Sequence, residues 1–149
     1  SMRVQFEGIP TFAPEIFVEV EQIDSMKRKQ FQKGMEQIAE EGAIQIFFIP
    51  DAGMERVIVG VVGMLQFDVL KFRMQSEYGV ELYMSPLPYE HLRFILECPV
   101  PVSQLDLANG TKVLEDYRGN HVLVFSGLWA LNYMMKNNPG LVVSDELRV

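Results

Sequence analysis

The chain has 149 residues, 48% hydrophobic and 22% charged, with a net charge of −7 and an isoelectric point near 4.8. This composition excludes disordered, collagen-like and coiled-coil classes and supports one domain or two small ones, with core enough to fold without disulfides or a structural metal. Cys98 is the one cysteine, which excludes an internal disulfide framework and a cysteine-based zinc site and suits a reducing, cytoplasmic compartment, while the acidic balance argues against non-specific nucleic-acid binding.

Ser1-Met2 reads as a cloning remnant in front of a chain that begins mid-sequence, and no signal-peptide layout follows it. Residues 3–14 carry Gly8, Pro10 and Pro14 and read as an extended lead-in, not a fold element. Residues 15–21 alternate charged and apolar side chains, a half-buried strand. Asp24 or Ser25 caps a helix that runs to about Glu41, with Phe31, Met35 and Ile38 on one face and Gly42 at its stop. Residues 43–50 and 56–62 form a hairpin across a turn at 51–55. Gly63 opens a second helix that ends at Tyr78, with Gly79 at its terminus, and 80–84 is a strand. Strand, helix, strand, strand, helix, strand is the order of a ferredoxin-like split βαβ unit.

Pro86 and Pro88 mark a boundary, after which the order repeats more weakly. Strands are expected at 92–98, 112–117, 121–125 and 141–143, with a short helix or mere turn at 103–108 and a helix at 127–137. The fold class is therefore α+β: a ferredoxin-like unit over residues 14–88, then a second βαββαβ-type unit over 89–149, as tandem α/β sandwiches. The uncharged stretches 57–67 and 119–135 both fall short of a membrane span, which needs about 20 mostly apolar residues.

Catalytic signatures are absent. The chain holds no GxxxxGK[ST], HExxH, GxSxG or CxxC. His91, His121, Cys98 and Ser126 are the types that serve as nucleophile, base and orienter, but each stands in or beside an apolar strand with no motif around it. Gly60-Val61-Val62-Gly63 at a helix start resembles an anion-binding turn, although such glycines more often serve close packing. No catalytic, cofactor-binding or metal-ligating residue is expected.

Both helices carry a second message. On the second, Phe67, Leu70, Met74 and Tyr78 share one face while Leu65, Val69 and Phe72 share nearly the opposite one. A helix covering a sheet buries one face, so the other is an inter-domain face, covered by the second half of the chain or by another domain in preference to an external partner. On the first helix, Lys27, Arg28, Lys29 and Lys33 precede Glu36, Glu40 and Glu41, the reverse of what the helix dipole favours. Two readings stand level: a solvated face with i,i+4 partners, or a local basic end that meets phosphate.

The residues also carry a resemblance. Gly8-Ile9-Pro10-Thr11-Phe12-Ala13-Pro14-Glu15-Ile16-Phe17, Gln37-Ile38-Ala39-Glu40-Glu41-Gly42-Ala43-Ile44-Gln45-Ile46-Phe47, Val59-Gly60-Val61-Val62-Gly63-Met64-Leu65-Gln66-Phe67-Asp68-Val69-Leu70 and Ser76-Glu77-Tyr78-Gly79-Val80-Glu81 stand in this order. Together they closely resemble the C-terminal portion of bacterial peptide-chain release factor three, the class II release factors, which are translational GTPases. The helix from Gly63 also resembles its counterpart in elongation factor G. The resemblance implies that residues 1–13 contain the tail of a preceding β-barrel domain, and that GTP and magnesium belong to an N-terminal domain absent here, with no cofactor in this chain. It implies a non-catalytic domain whose partners are the ribosome (small-subunit protein and rRNA), the preceding domains of the parent and, indirectly, the codon-reading release factors, with no membrane. Lys27, Arg28, Lys29 and Lys33, then Arg73 and Arg93, are the candidate RNA contacts on this reading. Two alternatives stand beside it: a free-standing regulatory domain binding a small ligand between its halves, and an enzyme using His91 or His121.

Overall fold

A computed structural model describes residues 10–50 and 56–148. Residues 1–9, which include Ser1-Met2 and most of the lead-in, and the 51–55 turn lie outside the described residues. Strand β1 (Pro10–Phe12) is followed by β2 (Ile16–Gln22), α1 (Arg28–Glu40), β3 (Gln45–Phe48), β4 (Arg56–Val61), α2 (Leu65–Tyr78) and β5 (Leu82–Pro86). The second half runs β6 (His91–Glu97), β7 (Lys112–Asp116), β8 (His121–Phe125), α3 (Leu128–Asn137), β9 (Val142–Ser144) and β10 (Glu146–Arg148).

Eight strands form one antiparallel sheet in the order β5-β2-β4-β3-β7-β8-β6-β9. Its first four have the ferredoxin-like order, with α1 and α2 on one face, and its last four repeat that order with α3 alone. The α+β, ferredoxin-like reading therefore holds, with the halves joined edge to edge at β3 and β7 through Phe47↔Asp116 and Phe48↔Glu115. Beside the sheet, β1 pairs antiparallel with β10, Pro10 opposite Arg148 and Phe12 opposite Glu146. The end of the expected lead-in is thus a fold element after all; its partner strand lies more than a hundred residues away, beyond any local signal.

Local chemistry explains the boundaries. Asp24 accepts the Met26 N–H at 2.9 Å and opens a 3-10 turn, Ser25–Lys27, that runs into α1. Gly42, at φ +85°, and Gly79, at φ +67°, stop α1 and α2 in a conformation that favours glycine. At 103–108 a 3-10 turn, Val102–Gln104, replaces the short helix. There the buried Asn138 side chain accepts from the Asp106 N–H at 2.8 Å and donates to the Asp106 carbonyl at 2.9 Å, doing for that backbone what a helical ladder would.

Three cores follow from the two faces. On the outer face, Val18, Val20, Val57 and Val59 pack under Phe31, Met35 and Ile38 of α1 and Leu70 and Met74 of α2. Leu123 and Phe125 pack under Ala130 and Met134 of α3. The helix-free face gathers Phe17, Phe47 and Ile58 from the first half with Leu92, Phe94, Leu114, Val122 and Val124 from the second. The rings of Phe17, on β2, and Tyr89, just ahead of β6, lie 6.3 Å apart, whereas five interstrand steps would separate those strands by about 24 Å in a flat sheet. The sheet is rolled, with all three helices outside. β2 is consequently buried on both faces, through Phe17 on one and Val18 and Val20 on the other, and not half-buried as its alternation suggests.

Candidate functional site

The α1–α2 layer holds most of the candidate residues. Lys27 turns inward: its Nζ donates to the Gly79 carbonyl at 2.6 Å, placing an ammonium at the carbonyl end of α2, where the helix dipole favours it. Arg28, Lys29 and Lys33 are exposed. Lys29 and Lys33, one turn apart, line a shallow trough along α1 with Gln32, Glu36 and Glu40. The first turn of α1 has no acidic residue and its last turn no basic one, so its charges oppose its dipole as the sequence indicated.

The other two cations are placed elsewhere. Arg73, on α2, donates to both oxygens of Glu77, at 2.6 and 3.0 Å, and to both oxygens of Glu41 just past the end of α1. Those hydrogen bonds hold the Glu77 and Glu41 carboxyls below their ordinary range and raise the guanidinium above its own. Arg93 lies on β6 in the second half, with Nη1 donating to the Leu92 carbonyl at 3.0 Å and its guanidinium 6.0 Å from the Phe125 ring centre. Arg28, Lys29 and Lys33 therefore share one helix, and Arg73 and Arg93 do not join them.

The outer face of α2 is bare. Leu65 is 76% exposed, Val69 49% and Phe72 71%, while Phe67, Leu70 and Met74 on the opposite side are buried. The second half of the chain does not cover this face, because it packs against the helix-free side of the sheet. Ile23, Val62 and Met64 are also exposed. Sequence periodicity missed these three because they sit in loops, where face assignment has no helical period to follow.

Other candidates resolve differently. The Val62 and Gly63 N–H groups donate to the Gln66 Oε1, at 3.0 and 2.9 Å, while the Gln66 amide donates to the Ala43 carbonyl. The helix start that resembled an anion-binding turn is capped by its own side chain. At Gly60 an added Cβ would sit 2.5 Å from the Pro14 ring, so close packing accounts for that glycine. His91 pairs with Phe125 on β8 and stacks on its ring at 5.5 Å, whereas His121 lies at the far end of β8, opposite Glu115. Four residues of strand put about 13 Å between those positions, so the two imidazoles do not converge. Among the described residues no group of three His, Cys, Asp or Glu side chains is placed to hold a metal ion, and no helix is long and apolar enough to cross a membrane. The Phe17–Phe94 core fills the helix-free side between the halves, and beside it an open cleft is lined by both, with Phe12, Ile44 and Phe47 from the first half and Phe94, Tyr117 and Arg118 from the second.

Residues 6–135 match the family model described as class II release factor RF3, C-terminal domain. A peptide chain release factor 3 from Symbiobacterium thermophilum is 42% identical over 139 residues, covering 93% of this chain and 26% of the relative. Counterparts from Rippkaea orientalis and Gloeobacter violaceus are each 39% identical, over 96% and 91% of this chain and 26% of their own lengths. The chain thus spans about a quarter of the length of the curated relatives it matches. Its matched residues, its element order and its ferredoxin-like half-sheet agree, and the chain belongs to the class II release factor RF3 C-terminal domain family.

Proposed function

We propose that this chain is the non-catalytic, ribosome-docking domain of a cytoplasmic translational GTPase that promotes the departure of codon-reading release factors in termination. GTP and magnesium belong, on this reading, to the parent's N-terminal domain, and residues 1–13 continue from a preceding β-barrel. Residues 14–88 form the contacting unit, backed by residues 89–149. The observation that carries it is the pairing, on one helical layer, of an exposed basic ridge and a bare apolar stripe. The ridge works against its own helix dipole, and Leu65, Val69 and Phe72 stay exposed on the side of α2 opposite its buried face. Arg28, Lys29 and Lys33 meet rRNA phosphate, and the α2 stripe meets protein.

The test is the salt dependence of binding to purified small ribosomal subunits. Each phosphate contact contributes roughly one to the slope of log affinity against log salt. Replacing Arg28, Lys29 and Lys33 together by Ala is expected to weaken binding and flatten that slope by about 3. An unchanged slope removes the basic ridge from the interface.

A further inference from the structure

Alongside the bare stripe, α2 borders a shallow groove. Leu82 forms its floor, Ile23 and Phe72 its walls, and Asp68, Lys71 and Glu81 its charged rim. The groove is built on rigid parts: Phe72 and Asp68 stand on α2, Leu82 pairs with Gln22 in the sheet, and the Ile23 N–H donates to the Glu81 carbonyl at 3.0 Å. Its walls are apolar and exposed while its floor is buried. Such a shape takes a side chain of the size of leucine or phenylalanine.

The rim decides what carries that side chain. Two carboxylates face one ammonium, and the neighbouring Arg73 does not redress the balance because Glu41 and Glu77 already hold it. An RNA backbone would bring phosphate against Asp68 and Glu81. A second copy, packed symmetrically, would bring those carboxylates against themselves. We propose that this groove binds an apolar side chain from a basic segment of a partner protein, with a lysine or arginine next to that anchor paired to Asp68 and Glu81. This rests on the reading of the α2 face as a protein contact and adds the chemistry of what it contacts. The anchor supplies affinity, and the rim charges supply approach rate and selectivity.

The test uses the 15N-labelled chain and three probes: a capped octapeptide of alternating arginine and leucine, its glutamate–leucine counterpart, and a single-stranded oligouridylate. The basic peptide is expected to shift the amides of Ile23, Asp68, Phe72 and Glu81 saturably, and the other two to leave them in place. Neutralising the rim with Asp68→Asn and Glu81→Gln lowers the peptide affinity about threefold, and Phe72→Ser lowers it about tenfold, in spectra that remain those of a folded chain. No shift from the basic peptide, an equal response to the acidic one, or a response to oligouridylate at these residues overturns the proposal. So does concentration-dependent broadening of this face without peptide, which would mark a second copy as its occupant. The probes contain no ribosome, so failure here is distinct from failure of the salt-slope experiment.

Discussion

Lys27 and Arg73 carry the same sign of charge as Lys29 and Lys33 and do different work. The Lys27 ammonium is bonded to the Gly79 carbonyl at 2.6 Å, so Lys27→Met, which keeps the stem and loses the charge, is expected to lower stability by about 1 kcal/mol in urea titrations. It should leave the salt slope of ribosome binding where it was. Arg73 gives a pH signature. Its hydrogen bonds hold the folded-state Glu41 and Glu77 carboxyls below the ordinary value of 4.5. Their contribution is complete above that value and is lost as pH falls through the lower folded-state values. Arg73→Gln should therefore lower the melting temperature at pH 7 and shrink the gap to the unaltered chain below about pH 4.5. A gap that stays constant down to pH 2 would contradict this.

α1 and α2 pack so closely that a side chain at one position would have to displace its neighbours. A Cβ at Gly34 would lie 2.7 Å from the Met74 sulfur and 2.9 Å from the Tyr78 ring, so glycine sits in mid-helix here at the expense of helix propensity. The elements themselves were legible in the sequence where a period or a cap wrote them. The Phe31, Met35, Ile38 spacing, Gly79 and the two-faced α2 each act over a few residues, and each is where the sequence puts it, while Asp24, one of the two cap candidates, caps the 3-10 turn ahead of α1 and not α1 itself. What the sequence did not carry is which cations are already engaged. Lys27 meets a carbonyl 52 residues away and Arg73 a carboxylate 32 residues away, distances over which no periodicity speaks. The same limit hid β1, whose strand character depends on residues 146–148, and the groove, which takes one wall from a loop and the other from a helix.

At the scale of the molecule the two halves share a core, although their sequences read as successive units. Phe94 contributes from β6 to the same buried cluster as Phe17 and Phe47. Removing it leaves a cavity that both halves line, so Phe94→Ala is expected to cost about 3–5 kcal/mol. The loss should appear equally in the exchange of amide protons from β2 and from β8, within a single unfolding transition. Two separated transitions would show the halves to be independent.

The β1–β10 ladder sets Pro10 directly across from Arg148. The first and last described strands therefore zip against each other, and the two described ends of the chain stand side by side although 138 residues separate Pro10 from Arg148. Loosening either strand removes the hydrogen-bonding partner of the other, so the two ends of the fold fray together.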